Sequence, residues 1–326
     1  MTQNNSIEII RDLISNAQTI MVTSHIRPDG DAIGSLLGLG LSLLEAGKQV
    51  SMVLVDGFPS AFRYLPGSNQ ILRSMPRNIE FDLTISLDAS DPERLGNAFG
   101  ERGVDLNIDH HITNVNFGKI NFVDPSAVAT CAILAEHLPE WGLKINNDTA
   151  SALLSGIITD TIGFRTSNMN TKAMRITADL MDYGANLPQI YTEALVNRSF
   201  EQILYWSYAL QKMQRRDGII WTTLSLADRQ LAGYNGNDDA DLNNLLSSIS
   251  EADISVLFVE QNNSHVKVSW RAKPGINVSS LAFSFGGGGH PAASGVDLQG
   301  ALTDVQNTVM EATFAHLKQT KDEQIS

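Results

Sequence analysis

One imidazole and two carboxylates fall within seven residues, at His25, Asp29 and Asp31 of the segment SHIRPDGDAIGS (24–35), directly after an apolar run. That run, TIMVT (19–23), reads as a buried strand, and AIGSLLGLGLSLLEAG (32–47) has the length and apolar content of a helix. The polar cluster therefore occupies a strand-to-helix turn, bent by Pro28 and Gly30. In a parallel α/β sheet such turns lie at the carboxyl edge of the strands, where ligand sites form.

Two more apolar runs end the same way. LTISL (83–87) stops at Asp88, and VDLNI (104–108) stops at Asp109, His110 and His111. A helix-like stretch, 150–158, finishes at Asp160. His25, Asp29, Asp31, Asp88, Asp109, His110, His111 and Asp160 exceed what one closed metal site uses, and without cations so many carboxylates would repel one another. Cys131 is the only cysteine, which excludes a thiolate-rich zinc site and an internal disulfide. Oxygen donors mixed with imidazole suit Mn²⁺, and less exclusively Mg²⁺, Fe²⁺ or Co²⁺. Two divalent ions are the inference.

Other polar residues have plainer explanations. Asp56, Asp82, Asp91 and Asp124 lie beside Gly, Pro or polar residues as turns and helix starts require, and Asp105 reads as a strand-edge group. His137 and His265 read as packing or surface residues, and Cys131 as a small buried side chain. The run 286–289 (GGGG) before His290 has two readings, a hairpin or linker, or a turn whose bare backbone N–H groups meet an anion. The apolar Leu281, Ala282 and Phe283 just before it argue against a free linker. Arg271, after the strand-like VKVSW (266–270), carries a planar fork suited to phosphate but also reads as an exposed strand-end charge, and Arg165 has the same two readings.

A chain of 326 residues, 43% apolar, suits two domains better than one core. Apolar runs alternate with helix-length segments up to about residue 184, the pattern of a doubly wound, mainly parallel α/β sheet. Residues 187–216 then read as a helical linker and 217–320 as a smaller α+β domain, with strand-like 218–226 and 254–260 and a helical 239–249. Tyr205, Trp206 and Tyr208, within the helical 199–213, are read as packing or a subunit contact rather than base stacking, which leaves a homodimer open. The start MTQNNSIEIIRD lacks the basic end and apolar core of a signal peptide, and no stretch of about 18 apolar residues occurs. A soluble cytoplasmic protein with no membrane partner is expected.

The order H-x-x-x-D-x-D, D, D-H-H, D resembles that of the DHH phosphoesterases. IITDTIGFRTSN (157–168) looks like that family's fourth motif, and FGGGGHPAASG (285–295) like the glycine-rich motif of the DHH-associated C-terminal domain. The resemblance covers nearly the whole chain and makes 1–186 the catalytic domain and 217–320 the substrate-binding domain. It implies that His25, Asp29 and Asp88 bind one metal and that Asp31, Asp88, His110 and Asp160 bind the second, with Asp88 bridging. His111 is then left for the phosphoryl oxygens or the leaving group, and Asp109 to orient a ligand histidine. Gly287, Gly288, Gly289, His290, Arg271 and Arg165 become substrate contacts, the glycine loop facing the metals.

By size and domain pair the chain most resembles the family's bifunctional oligoribonucleases that also dephosphorylate 3'-phosphoadenosine 5'-phosphate. The resemblance thus implies a manganese-dependent phosphoesterase for short oligonucleotides and small nucleotide phosphates. A phosphodiesterase for cyclic or linear dinucleotides is the alternative within the family, and a nucleotide-binding regulator with a decayed site the alternative outside catalysis. The net charge of −13 disfavours tracking long nucleic acid, whose phosphate backbone calls for a basic surface. Long duplexes are therefore not expected as partners. A local basic cleft with Arg165, Arg271 and Lys273 would serve short substrates.

Overall fold

A computed structural model describes residues 3–76, 78–100 and 102–325. The chain divides into two compact units, 1–197 and 198–326. In the first, helix α1 (Gln3–Asn16) leads into β1 (Thr19–Thr23), α2 (Gly30–Glu45), β2 (Gln49–Val53), β3 (Leu83–Leu87), β4 (Leu106–Asp109) and β5 (Ile120–Val123). Helices α3 (Thr130–His137), α4 (Asn147–Asp160), α5 (Thr171–Asp182) and α6 (Leu187–Tyr191) follow. The strands pair in parallel in the order β2-β1-β3-β4-β5, which is the expected doubly wound sheet. Chain order reverses direction between β1 and β3, so a crevice opens at their carboxyl ends. Every residue of β3 is buried, the polar Thr84 and Ser86 as fully as Leu83, Ile85 and Leu87.

Helix α2 is apolar nearly all round because it is buried nearly all round. Asp29 caps it, its Oδ1 accepting from the N–H groups of Asp31 and Ala32. Gly30, Gly34 and Gly38 recur every four residues and form a stripe against α4. A Cβ on Gly34 would lie 2.6 Å from the Ala152 carbonyl oxygen and 2.9 Å from Gly156 N, and one on Gly30 would lie 2.5 Å from Thr159 Cβ. Without side chains on that stripe the two backbones approach closely, and the last residue of α4, Asp160, arrives beside the first turn of α2.

The second unit runs α7 (Phe200–Gln211), β6 (Gln214–Arg216), β7 (Ile219–Leu224), α8 (Leu226–Ala232), α9 (Leu242–Leu246), β8 (Ile254–Gln261) and β9 (His265–Ala272). Then come α10 (Ser279–Ser284), β10 (Gly288–His290), β11 (Ala293–Gln299) and α11 (Leu302–Ile325). Its sheet has the order β10-β11-β9-β8-β7-β6, antiparallel except for the β7–β8 pair. Ile254, Val256 and Phe258 face a core shared with α10 and α11, whereas Leu257 and Val259 face one shared with α7, α8 and α9. Burial on both faces matches the unbroken apolar run VLFV (256–259) within this strand.

Three expectations take a different form here. The helical 187–216 stretch is divided between the units: Ile190 of α6 joins the first core, and Tyr205 and Ala209 of α7 join the second. Within 239–249 only Leu242–Leu246 is helical, because Ala240 and Asp241 adopt left-handed backbone at φ 51° and 63°. The glycine run is half turn and half strand, since β10 pairs Gly288 with Gly295 and His290 with Ala293. A Cβ on Gly289, at φ 137°, would lie 2.6 Å from the Ala293 carbonyl, so the hairpin itself requires glycine there. Tyr205 stacks on Tyr234, and Trp206 Nε1 donates to the Ala240 carbonyl at 3.0 Å, so both pack within the unit.

The α2–α4 contact yields a graded test. Gly34→Ala meets backbone atoms and should cost about 1–3 kcal/mol of stability, whereas Gly38→Ala meets only the flexible Leu153 side chain and should cost less. Urea unfolding midpoints of the two variants check the order.

Candidate metal centre

Each strand end contributes through its own turn. After β1 the chain places His25; after β3 it places Asp88; β4 ends at Asp109 and is followed by His110 and His111. His25 and Asp88 meet across the β1–β3 crevice, with His25 Nε2 3.6 Å from Asp88 Oδ2 and 3.7 Å from Asp29 Oδ1. On the other side His110 Nε2 lies 3.6 Å from Asp88 Oδ1, 3.9 Å from Asp31 Oδ2 and 3.7 Å from Asp160 Oδ2. Asp88 thus turns one carboxylate oxygen toward each group.

These separations exceed hydrogen-bond length. They match donors that share a cation, since two ligands each about 2.1 Å from one ion lie about 3–4 Å apart. The tautomers agree. His25 Nδ1 is 2.8 Å from the Ile26 carbonyl and His110 Nδ1 is 3.3 Å from the Ala127 carbonyl. A carbonyl only accepts, so each Nδ1 carries a proton and each Nε2 faces the carboxylates. His25, Asp29 and Asp88 form one such group and Asp31, His110 and Asp160 another; Asp88, His110 and His111 also lie close together.

Buried carboxylates need donors. Asp31 accepts from the backbone N–H groups of Thr130 at 2.6 Å and Cys131 at 2.9 Å, at the amino end of α3. Thr130 Oγ1 donates to Asp88 Oδ1 at 3.0 Å. Asp160 has the opposite placement, on the last residue of α4, where the helix dipole is unfavourable to an anion. Burial and the negative charges of Asp31 and its neighbours raise the Asp160 pKa well above the carboxylate range. Burial and the Asp88 charge likewise raise that of Asp31. For His25 burial acts downward, but the attraction of the Asp29 and Asp88 carboxylates close to its Nε2 overcomes it and raises the pKa to about 10. Metal-free, the site therefore gathers protons where it would otherwise gather cations.

Backbone strain concentrates here too. Asp88 at φ 55°, Arg27 at 53°, Ile162 at 48° and Phe164 at 68° are left-handed without being glycine, each costing on the order of 1–3 kcal/mol. Ile162 and Phe164 belong to the turn that follows Asp160.

The Asp109 carboxylate is fully engaged elsewhere. It accepts from His111 Nδ1 at 2.7 Å, from Asn114 Nδ2 at 2.6 Å and from the His110 backbone N–H at 2.8 Å. It therefore orients the His111 ring. Thr130 and Asn114 are the neighbours that sequence reading missed. Nothing in the sequence singled out Asn114, and nothing in VATCA (128–132) singled out Thr130. Asp56, set aside as a turn residue, accepts from the Arg27 backbone N–H at 2.6 Å.

Residues 19–157 match the model of the DHH family, N-terminal domain, and residues 226–315 match the DHHA1 domain. The chain is 32% identical over 299 residues to the bifunctional oligoribonuclease and PAP phosphatase NrnA of Thermus thermophilus, covering 91% of this chain and 90% of the relative. The chain belongs to the DHH family. An exopolyphosphatase-related protein from Bacteroides fragilis shares its fold with a TM-score of 0.90 and 25% identity, over 98% of this chain and all (100%) of that one. RecJ of Thermus thermophilus in complex with Mn²⁺ shares the fold at TM-score 0.54 and 13% identity, over 95% of this chain and 54% of RecJ. Among the described residues no helix is long and apolar enough to cross a membrane.

The DHHA1 match contains Arg271 and the glycine hairpin. Cross-strand register puts His290 opposite Ala293 and Ala293 opposite Arg271, so the imidazole and the guanidinium share a sheet face with only a methyl group between them. Burial lowers the Arg271 pKa, against the opposing pull of Asp239 and Asp241. Lys273 bonds instead to the Ser250 carbonyl and approaches Asp253. In the DHH unit Arg165 is exposed, its backbone N–H bonded to the Thr161 carbonyl at 2.8 Å.

The sign of the pH dependence follows from these shifts. The imidazole of His25 rises from 6.5 to about 10 on folding, so its contribution is complete below about 6.5 and is lost as pH climbs toward 10. The raised Asp31 and Asp160 carboxyls act in the same direction, since the fold binds their protons more tightly than the unfolded chain does. With chelator, stability should fall between about pH 6 and pH 9, and Mn²⁺ should bind more tightly across the same interval because it displaces protons. Urea midpoints and calorimetric titrations measure the two trends.

Proposed function

We propose that the chain is a metal-dependent phosphoesterase that hydrolyses short oligoribonucleotides to mononucleotides and removes phosphate from 3'-phosphoadenosine 5'-phosphate. The observation that carries this reading is Asp88, whose two oxygens face His25 on one side and His110 on the other at 3.6 Å each. That is the disposition of a bridging carboxylate. The T. thermophilus relative, named as an oligoribonuclease and PAP phosphatase, supports the substrates.

In this reading His25, Asp29 and Asp88 hold one divalent ion, and Asp31, Asp88, His110 and Asp160 hold the other. The donor set of carboxylates and imidazoles, without thiolate, fits Mn²⁺ best, with Mg²⁺, Fe²⁺ and Co²⁺ as substitutes. Such a pair supplies Lewis-acid polarisation of the phosphoryl group and makes water a competent nucleophile near neutral pH. Thr130 Oγ1 and the amino end of α3 fix the Asp88 and Asp31 carboxylates, so these two groups are held in place before substrate arrives. His111, held through Nδ1 by Asp109, donates toward a phosphoryl oxygen or the leaving oxygen. Arg165, Arg271 and the backbone of Gly287, Gly288 and Gly289 with His290 bind phosphate groups of the substrate. The acidic surface of a cytoplasmic chain with net charge −13 gives long strands little to follow, which favours short ones.

Two variants separate the roles. Asp88→Ala should leave the protein folded while turnover drops by several orders of magnitude, and near-normal turnover with Mn²⁺ would sink the two-ion assignment. His111→Ala should keep metal binding and lose about 10²–10⁴-fold in kcat. A calorimetric titration beside steady-state kinetics reads both.

Length selectivity is the second test. Initial rates on RNAs from two to about twenty nucleotides, on 3'-phosphoadenosine 5'-phosphate and on a cyclic dinucleotide should favour the shortest linear strands and the phosphoadenosine. Arg271→Ala and His290→Ala should raise KM with the metal site intact. Equal rates on a twenty-nucleotide strand and a trinucleotide point instead to a processive exonuclease, and preference for the cyclic compound to a dinucleotide phosphodiesterase.

A further inference from the structure

We propose that Asp56 is a positioning residue for the metal centre, acting on His25 through the single peptide group that joins Ile26 to Arg27. The proposal rests on the metal-binding reading above and assigns work to a side chain that is no ligand itself. The Ile26 carbonyl and the Arg27 N–H belong to one planar unit and point in opposite directions. His25 Nδ1 is 2.8 Å from that carbonyl, and Asp56 Oδ2 accepts from that N–H at 2.6 Å. The plane is therefore gripped from both ends, by the ring it orients and by a carboxylate from the turn after β2.

The grip has something to oppose. Arg27 is left-handed at φ 53° and precedes Pro28, which biases the preceding residue toward extended backbone. Released from Asp56, the peptide would turn toward that preference and carry the Ile26 carbonyl away from the His25 ring. The Ile26 N–H, bonded to the Arg94 carbonyl at 2.7 Å, restrains the preceding peptide but not this one. A carboxylate on the N–H also polarises the peptide and strengthens its carbonyl as an acceptor. His25 Nδ1–H is then held firmly, and Nε2 is kept aimed at Asp29 and Asp88. The carboxylate thus reaches the imidazole through a peptide, as metal-binding histidines are commonly held by an outer carboxylate or carbonyl.

Asp56 and Arg27 are both exposed, so truncating Asp56 leaves the core untouched. The experiment is a calorimetric Mn²⁺ titration of the metal-stripped full chain, comparing wild type, Asp56→Ala and Asp56→Asn. Asp56→Ala should weaken one of two binding steps about tenfold and leave the other in place. Asp56→Asn retains an acceptor oxygen without the charge and should recover most of the loss. Unchanged binding in Asp56→Ala, equal weakening of both steps, or an Asn variant as weak as the Ala variant overturns the proposal. Failure of wild type to bind Mn²⁺ removes the metal reading itself, and the Asp56 role with it.

Discussion

The close approach of α2 and α4 is the contact on which the rest of the first unit depends. Two helices ordinarily pack about 8–10 Å apart, a spacing set by the side chains between them. Here Gly30, Gly34 and Gly38 bring backbone against Thr159, Ala152 and Leu153. The consequence is electrostatic as much as steric. An acidic helix start, with Asp29 and Asp31, is drawn against an acidic helix end at Asp160, so carboxylates from two helices meet at the edge of the sheet.

That meeting is tolerated because three of the buried carboxylates, Asp31, Asp88 and Asp109, have hydrogen-bond donors. The amino end of α3 serves Asp31, Thr130 serves Asp88, and Asn114 with His111 serves Asp109. Protons on His25 and on the raised carboxyls offset much of the remaining repulsion in the metal-free chain. Divalent cations do the same work better, since one ion neutralises two charges and satisfies several lone pairs at once. The left-handed backbone at Asp88 lies at the same place, directly at the end of β3.

Much of this was legible in one dimension. The runs 19–23 and 83–87 are strands with those very limits, since short apolar runs ending in a charge leave little freedom of boundary. His25, Asp29, Asp31, Asp88, His110 and Asp160 are drawn together as their placement after apolar runs suggested. The helical limits near Asp239 were less legible, because left-handed backbone at Ala240 and Asp241 leaves no mark in composition. The glycine run was ambiguous for a definite reason. Close packing of backbone in a hairpin and close approach of an anion demand the same residue.

By itself the sequence determined which chemistry is available: carboxylates and imidazoles at the ends of strands, one cysteine, and an acidic balance. Local patterning suffices for that, because strand and helix periods and turn residues are written within a few positions. The tertiary structure supplied the distances, with Asp88 placed between His25 and His110, and only it committed Asp109 to His111. Only it brought in Thr130 and Asp56, whose partners are remote in sequence, and Asn114, which donates both to Asp109 and to the distant Ala89 carbonyl. A hydrogen bond to a main-chain N–H or carbonyl is indifferent to residue type, so no pattern of side chains announces it.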